Sequence, residues 1–181
     1  MTSALLKLND ADAADALDML EPLVERSPWV AAAALSGRPF PSDEALAEAL
    51  FEVILSSDVA KRTALLNAHP ELAGEEATAG DMTEASTDEQ SRLGLNALAA
   101  RDAERLETLN ALYRDRFGHP FIIALHRVPD LETLFASFER RLTASPLEEH
   151  ITALAEIASV IRSRARQAFG TTERLEPATE P

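Results

Sequence analysis

Three side chains in this sequence have the chemistry to move protons and hold anions: His69, Glu89 and Arg164. His69 and Glu89 stand 20 positions apart, near the two ends of the stretch HPELAGEEATAGDMTEASTDEQ, residues 69–90. An imidazole exchanges protons near neutral pH, and a carboxylate can orient it or share the transfer. A guanidinium holds a carboxylate or carbonyl through paired, charge-assisted donors. Residues 71–85 between them lack apolar periodicity and read as a loop. The pair therefore stands on the rims of two helices, where function commonly sits.

Each group also has a plain structural reading. Ser86, with Glu89 three positions on, fits a capping box in which each side chain bonds the other residue's backbone N–H. Arg164 continues the row Ala153, Ile157, Val160 on the last helix. A guanidinium on a buried row needs a carboxylate whether or not it meets a substrate. A metal-dependent hydrolase built on His69, Glu89, His119 and His126 is a weaker reading, since no two of them show the close helical spacing of zinc motifs. No metal is expected.

The elements that must position these groups are helical. Ala and Leu dominate, and aromatic residues are only 5% of the chain, a composition of helix formers. Asn9 with Asp12 marks a helix start. Pro22 breaks that helix, Pro28 opens the next, and Gly37 stops it. Trp29, the only Trp, is expected in the core. Ser42 caps a helix with Leu46, Leu50, Val53 and Ile54 on one face. A further helix from about Asp58 to Ala68 ends at His69-Pro70. Pro70 biases His69 out of the α region, so its ring projects from a helix exit.

The helix opened by Ser86 runs to about Arg101. The next carries Leu106, Asn110, Tyr113 and Phe117 in one stripe and stops at Gly118. His119 to Leu125 is the one extended segment. With no partner strand, its N–H and C=O groups must find helix ends, water or a ligand, which makes it a second candidate site. A helix bearing Leu131, Leu134, Phe135 and Phe138 ends in Arg140 and Arg141, where the helix dipole favours cations. Pro146 opens the final helix, to about Phe169, with the apolar row Leu147, Ile151, Leu154, Ala158, Ile161, Ala165, Ala168. Residues 170–181 read as a disordered tail. The expected fold is all-α: one domain over residues 1–169, a bundle of about eight helices with one short extended segment lining the site.

The totals exclude several functions. There are 31 acidic and 17 basic residues, a net charge of −14, which opposes binding to nucleic acid or anionic membranes. The absence of cysteine excludes disulfides, thiolate metal sites and thiol nucleophiles. No apolar run approaches the ~18 residues of a membrane span. The first twenty residues lack a basic segment followed by an apolar one. A soluble, cytoplasmic protein is expected.

Two motifs carry a resemblance: His-Pro-x-Leu-Ala-Gly followed by Ser-x-x-Glu-Gln, and Asn-x-x-Tyr-x-x-x-Phe-Gly-x-Pro-Phe-Ile. With SPWV, RPF and ALAEIASVIRSR in the same order, the chain resembles the 2-oxo-4-hydroxy-4-carboxy-5-ureidoimidazoline (OHCU) decarboxylases of uric acid degradation, from about Leu6 to Ala168. The resemblance implies an all-α homodimer without a cofactor that decarboxylates OHCU to (S)-allantoin. It implies catalytic roles for His69, Glu89 and Arg164. It also implies substrate contacts from Pro70, Ser86, Gln90, the backbone of Phe121, Ile122, Ile123, Ala124 and Leu125, and His126. The chain departs from the family pattern at His119, at His126, where arginine is common, and at Ala165. The competing reading is a non-catalytic helical interaction module, in which Ser86 and Glu89 only cap a helix and Arg164 forms an internal ion pair.

Overall fold

The structure, a computed structural model, describes residues 2–170. The tail expected over 170–181 lies, but for Gly170, outside them. Among the described residues are ten α-helices, four short 3-10 turns and no strand. The all-α expectation holds, with two more helices than the eight expected. One is α1 (Ser3–Asp10), capped by Thr2. The other is the five-residue α6 (Glu75–Ala79), inside the stretch read as loop.

Asn9 does not start a helix. It sits in α1, and its side chain clamps the backbone of Phe40, donating to the carbonyl at 2.9 Å and accepting from the N–H at 2.8 Å. Asp12 is the cap of α2 (Ala13–Leu20), where it accepts from two N–H groups of the first turn. The proline, serine and aspartate signals elsewhere mark real boundaries. Pro28 is the first residue of α3 (Pro28–Ala34). Ser42 caps α4 (Asp43–Ser56) and Asp58 caps α5 (Val59–Asn67).

The helix expected from Ser86 to Arg101 is two elements. α7 (Glu84–Arg92) is capped by Thr83, whose hydroxyl accepts from Ser86 N–H. Gly94 then adopts φ +75°, a left-handed turn that closes the helix and frees the chain to enter α8 (Ala100–Phe117). α9 (Leu131–Arg141) and α10 (Pro146–Phe169) complete the chain. The capping box is found at Ser145–Glu148, at the start of α10.

Two apolar cores result. The first is formed by α1 to α5 and one face of α10, with Leu8, Leu20, Leu46, Leu50 and Ile54 fully enclosed. Each such leucine contributes ~1.5–3 kcal/mol by leaving water. Trp29 packs half-buried against it. The second core gathers residues of α8, α9 and the extended segment around Tyr113, Phe121 and Phe138. Phe121 stacks on Phe138 at 3.6 Å, and Tyr113 meets both edge-on. At 24 residues, α10 is ~36 Å long. Of its expected apolar row, Leu154, Ile161 and Ala165 are buried and Ala158 is half-buried, whereas Leu147, Ile151 and Ala168 stand in solvent. The extended segment joins the cores: Ile122 belongs to the first, Phe121 and Leu125 to the second. Among the described residues no helix is long and apolar enough to cross a membrane.

Candidate active site

A pocket of roughly 410 Å³, counting its open mouth, lies where the two cores meet. It is lined by His69 and Pro70 after α5, by Ser86, Glu89 and Gln90 on α7, by Phe121, Ile122, Ile123 and Leu125 of the extended segment, and by Arg164 on α10. Leu72 and Val160 complete its apolar walls. Residues from four places in the sequence thus converge on one cleft. Of the residues singled out for this site, Ala124 and His126 are not in its lining. The Ala124 N–H donates to Glu156 Oε2 at 2.8 Å. His126 sits on the exposed 3-10 turn after it, with Nε2 3.3 Å from Ser159 Oγ.

His69 is half-buried at the exit of α5, as Pro70 requires. Its Nδ1 lies 2.9 Å from the carbonyl of Leu65. A carbonyl only accepts, so Nδ1 carries the proton and Nε2 is left as a lone-pair acceptor. Burial lowers the pKa of the ring below its ordinary value of 6.5; the Leu65 carbonyl and Glu25 oppose this, and burial wins. The group is a neutral base at pH 7.

Arg164 is buried between two carboxylates. Its Nε and Nη2 donate to Glu89 at 2.8 and 3.0 Å, a two-pronged contact. Its Nη1 donates to Glu25 and to the Pro22 carbonyl, both at 3.3 Å, and Nη2 reaches Ser86 Oγ at 3.4 Å. Burial alone would lower its pKa, but Glu89 and Glu25 outweigh that and raise it. Every N–H of the guanidinium therefore has an acceptor. Arg164 can meet a ligand anion only where Glu89 yields its edge.

Glu25 is the residue the sequence did not reveal. It lies in the loop between Pro22 and Pro28, 2% exposed. It accepts from the hydroxyls of Thr83 (2.9 and 3.0 Å) and Ser86 (2.7 Å) as well as from Arg164. The available signal was an acidic residue inside the apolar, proline-flanked run PLVERSP. It explains why Ser86 is not a helix cap: its hydroxyl is taken by a buried carboxylate, one turn inside α7. Neither Ser86 nor Glu89 caps the helix, so the capping reading of the pair is overturned.

Gln90 also works within the protein. Its Oε1 accepts from Ala73 N–H at 2.9 Å, and its Nε2 donates to the Glu71 carbonyl and to the Met82 sulfur. Ala73 has φ +49°, a left-handed conformation that costs a non-glycine residue ~1–2 kcal/mol, and Gln90 holds it there. This bracket fixes the loop that follows His69.

The backbone of the extended segment is only partly paired. Arg141 takes the Ile122 carbonyl at 2.7 Å, and Arg92 takes that of Leu125. Among the described residues nothing pairs with the N–H or C=O of Ile123, a residue of the pocket wall. The cleft thus combines a neutral imidazole acceptor, an arginine-held carboxylate and unpaired backbone groups. This set can accept a proton, steady an anion and donate to developing negative charge. The four residues of the metal reading are not gathered: His119 is buried against Tyr113, and among the described residues no three His, Cys, Asp or Glu side chains are placed to hold an ion together.

The comparisons with known proteins agree with one another. The family model described as OHCU decarboxylase matches residues 9–166. The chain is 37% identical over 166 residues to the 2-oxo-4-hydroxy-4-carboxy-5-ureidoimidazoline decarboxylase of Mus musculus, covering 92% of this chain and 93% of that one. It is 35% identical over 167 residues to the protein of the same name from Haloferax volcanii, covering 92% and 96%. A crystal structure of OHCU decarboxylase in the presence of (S)-allantoin superposes with a TM-score of 0.67 at 18% identity, over 85% of this chain and 99% of that one. A crystal structure of (S)-allantoin synthase does so with a TM-score of 0.71 at 24% identity, over 91% of this chain and 53% of that one. At these identities the structural likenesses speak for the fold.

Proposed function

The chain belongs to the OHCU decarboxylase family, and on that premise we propose that it converts OHCU to (S)-allantoin in urate degradation, with no cofactor. In the substrate one ring carbon bears both the hydroxyl and the carboxylate, and its neighbour bears the ureido group and a ring imine. The bond to the carboxylate breaks, and its electron pair passes into the carbon–carbon bond as the imine nitrogen takes a proton. The hydroxyl then loses its proton as its carbon becomes a carbonyl, and a proton is delivered to the neighbouring carbon. Carbon dioxide leaves, and one proton is taken up overall. The imine is the electron sink, so the chain must only place the ring, stabilise charge and choose the face of protonation.

The observation that carries this reading is the neutral His69, its Nε2 free to accept a proton, in one pocket with the Arg164-held Glu89. We assign His69 and Glu89 to the hydroxyl and carbon protons. Arg164 fixes the carboxylate of Glu89 and steadies the anion. Pro70, Phe121 and Leu125 supply apolar wall, and the free backbone of Ile123 meets the ring amides and carbonyls. Ser86 and Gln90 act through Glu25, Arg164 and the loop after His69. The test is to add the protein to urate freshly oxidised in the presence of hydroxyisourate hydrolase and to follow the circular dichroism of the product. Accelerated appearance of one enantiomer is expected. An unchanged rate, with racemic product, would reject the reading in favour of a non-catalytic module.

A homodimer is part of the proposal. α8 and α10 pack together and leave Leu112, Leu147 and Ile151 more than half exposed, apolar area of the kind a second copy covers. Sedimentation velocity should give about twice the 19.6 kDa of one chain; a monomer across the micromolar range would remove this part alone.

A further inference from the structure

The second buried arginine lies outside the pocket lining, and the proposed function gives it no role. Arg141 stands in the last turn of α9, where the helix dipole favours cations. It is 2% exposed. Its Nε donates to Glu149 at 2.9 and 3.2 Å, and its Nη2 makes a shorter contact to the same carboxylate. Tyr113 OH also donates to Glu149, and the guanidinium lies 4.4 Å over the Phe121 ring. A buried ion pair of this kind is rarely more stabilising than apolar side chains of equal volume. Its remaining arm is therefore informative: Nη1 donates to the Ile122 carbonyl at 2.7 Å.

In a trans peptide the C=O and the following N–H point in opposite directions, and the Ile122–Ile123 bond is trans. With the Ile122 carbonyl pinned toward Arg141, the N–H of Ile123 must point away from it. The next peptide is pinned in the same sense, since the Ala124 N–H goes to Glu156 and turns the Ile123 carbonyl away from that side chain. Ile123 lines the pocket. We infer that Arg141, clamped by Glu149 and Tyr113, is a positioning residue: it sets the rotation of the Ile122–Ile123 peptide and so aims the Ile123 N–H at the reacting ring. This rests on the function proposed above and extends it to residues that touch no substrate. A preorganised donor of this kind does not need to reorient as charge develops.

Two variants separate positioning from simple support. Arg141→Lys keeps the charge opposite Glu149 but loses the planar fork that serves the carboxylate and the carbonyl together. Arg141→Met with Glu149→Leu replaces the pair by apolar volume. In each folded protein kcat should fall at least about tenfold, toward the ~100-fold cost of losing one such donor, with KM changed much less. In the wild-type protein, (S)-allantoin should shift the Ile123 amide resonance in a 15N correlation spectrum, and Arg141→Lys should abolish the shift. If the double variant does not fold, the lysine variant and the wild-type spectrum still decide. A folded Arg141→Lys protein with wild-type kcat overturns the inference, as does an Ile123 amide unmoved by product in a wild-type protein that turns substrate over. A wild-type protein with no turnover would instead reject the function itself.

Discussion

Arg164 and Arg141 are built alike. Each is almost fully buried, each comes from the C-terminal part of a helix, and each grips a glutamate with two arms and a backbone carbonyl with another. They differ in the reach of the glutamate. The Glu89 side chain is 30% exposed and lines the cleft, whereas that of Glu149 is 1% exposed and is hydrogen-bonded by Arg141 and Tyr113. Burial and ion pairing thus do not distinguish the arginine proposed to act in the site from the one proposed to position its wall. What distinguishes them is whether the partner carboxylate reaches the pocket. One network offers its charge to the pocket; the other fixes a peptide in the pocket wall.

If that distinction holds, the largest losses belong to the groups that reach the cleft. His69→Ala should bring turnover to the uncatalysed rate, with the far-ultraviolet spectrum unchanged, because the ring makes one hydrogen bond at a helix exit. Glu89→Gln should lower kcat by about 100-fold or more, the scale of a lost proton-transfer group. It should leave the unfolding midpoint nearly unmoved, since Arg164 keeps Glu25 and the position is inside α7 rather than at its cap. Steady-state kinetics and thermal melts of both variants measure this. A Glu89→Gln protein with wild-type kcat would make Glu89 another Glu149.

The next effect compares two arginines of α10. Two positions apart, they point ~200° around the helix from each other. Arg164 is buried in the double carboxylate, while Arg162 is exposed, 3.9 Å from an equally exposed Glu44. Arg164→Lys keeps the charge and loses the planar fork. The loss should be ~2–3 kcal/mol, roughly 30- to 150-fold in kcat/KM. Arg162→Lys should be near neutral, as expected of a solvated pair. Equal small effects would place Arg164 among structural ion pairs.

The same comparison shows what was legible in the sequence. Arg164 could be placed because it continues a periodic apolar row, and His69 because Pro70 dictates a helix exit. The helix starts at Ser42, Asp58 and Pro28 followed from local capping chemistry. Arg141 was placed in the last turn of its helix, where it is, but its burial went unread, because a cation there has a sufficient local explanation and the carbonyl it serves is 19 positions away. Glu25 was missed for the same reason: its partners are 58 to 139 positions off. Ser86 was given a cap's role because its spacing to Glu89 satisfies the local rule. The start of α7 is instead set by Thr83, which leaves the Ser86 hydroxyl to Glu25. Local rules resolve helix ends. Buried polar partners depend on tertiary placement, which no short window of sequence contains.

The smallest effect is that of pH, and it too separates the two networks. His69 is the titrating group of the cleft, and burial holds its pKa below 6.5 against the raising influence of Glu25 and Glu89. The neutral, proton-accepting form therefore persists as pH falls to 6.5, where an unperturbed imidazole is already half protonated. From pH 8 to 6.5, kcat/KM should fall by less than about twofold, and the acid limb should lie at lower pH. Folding stability moves in the same direction as activity. In the unfolded chain His69 takes up its proton near 6.5, and in the folded chain it does so only at lower pH. Folding stability contributed by this residue is thus present above 6.5 and is lost as pH falls through the folded pKa. His69→Ala should flatten that part of the stability curve, whereas Arg141→Lys should leave it unchanged. A wild-type rate that halves above pH 6.5 would mean that a different group, or a solvated His69, controls the reaction.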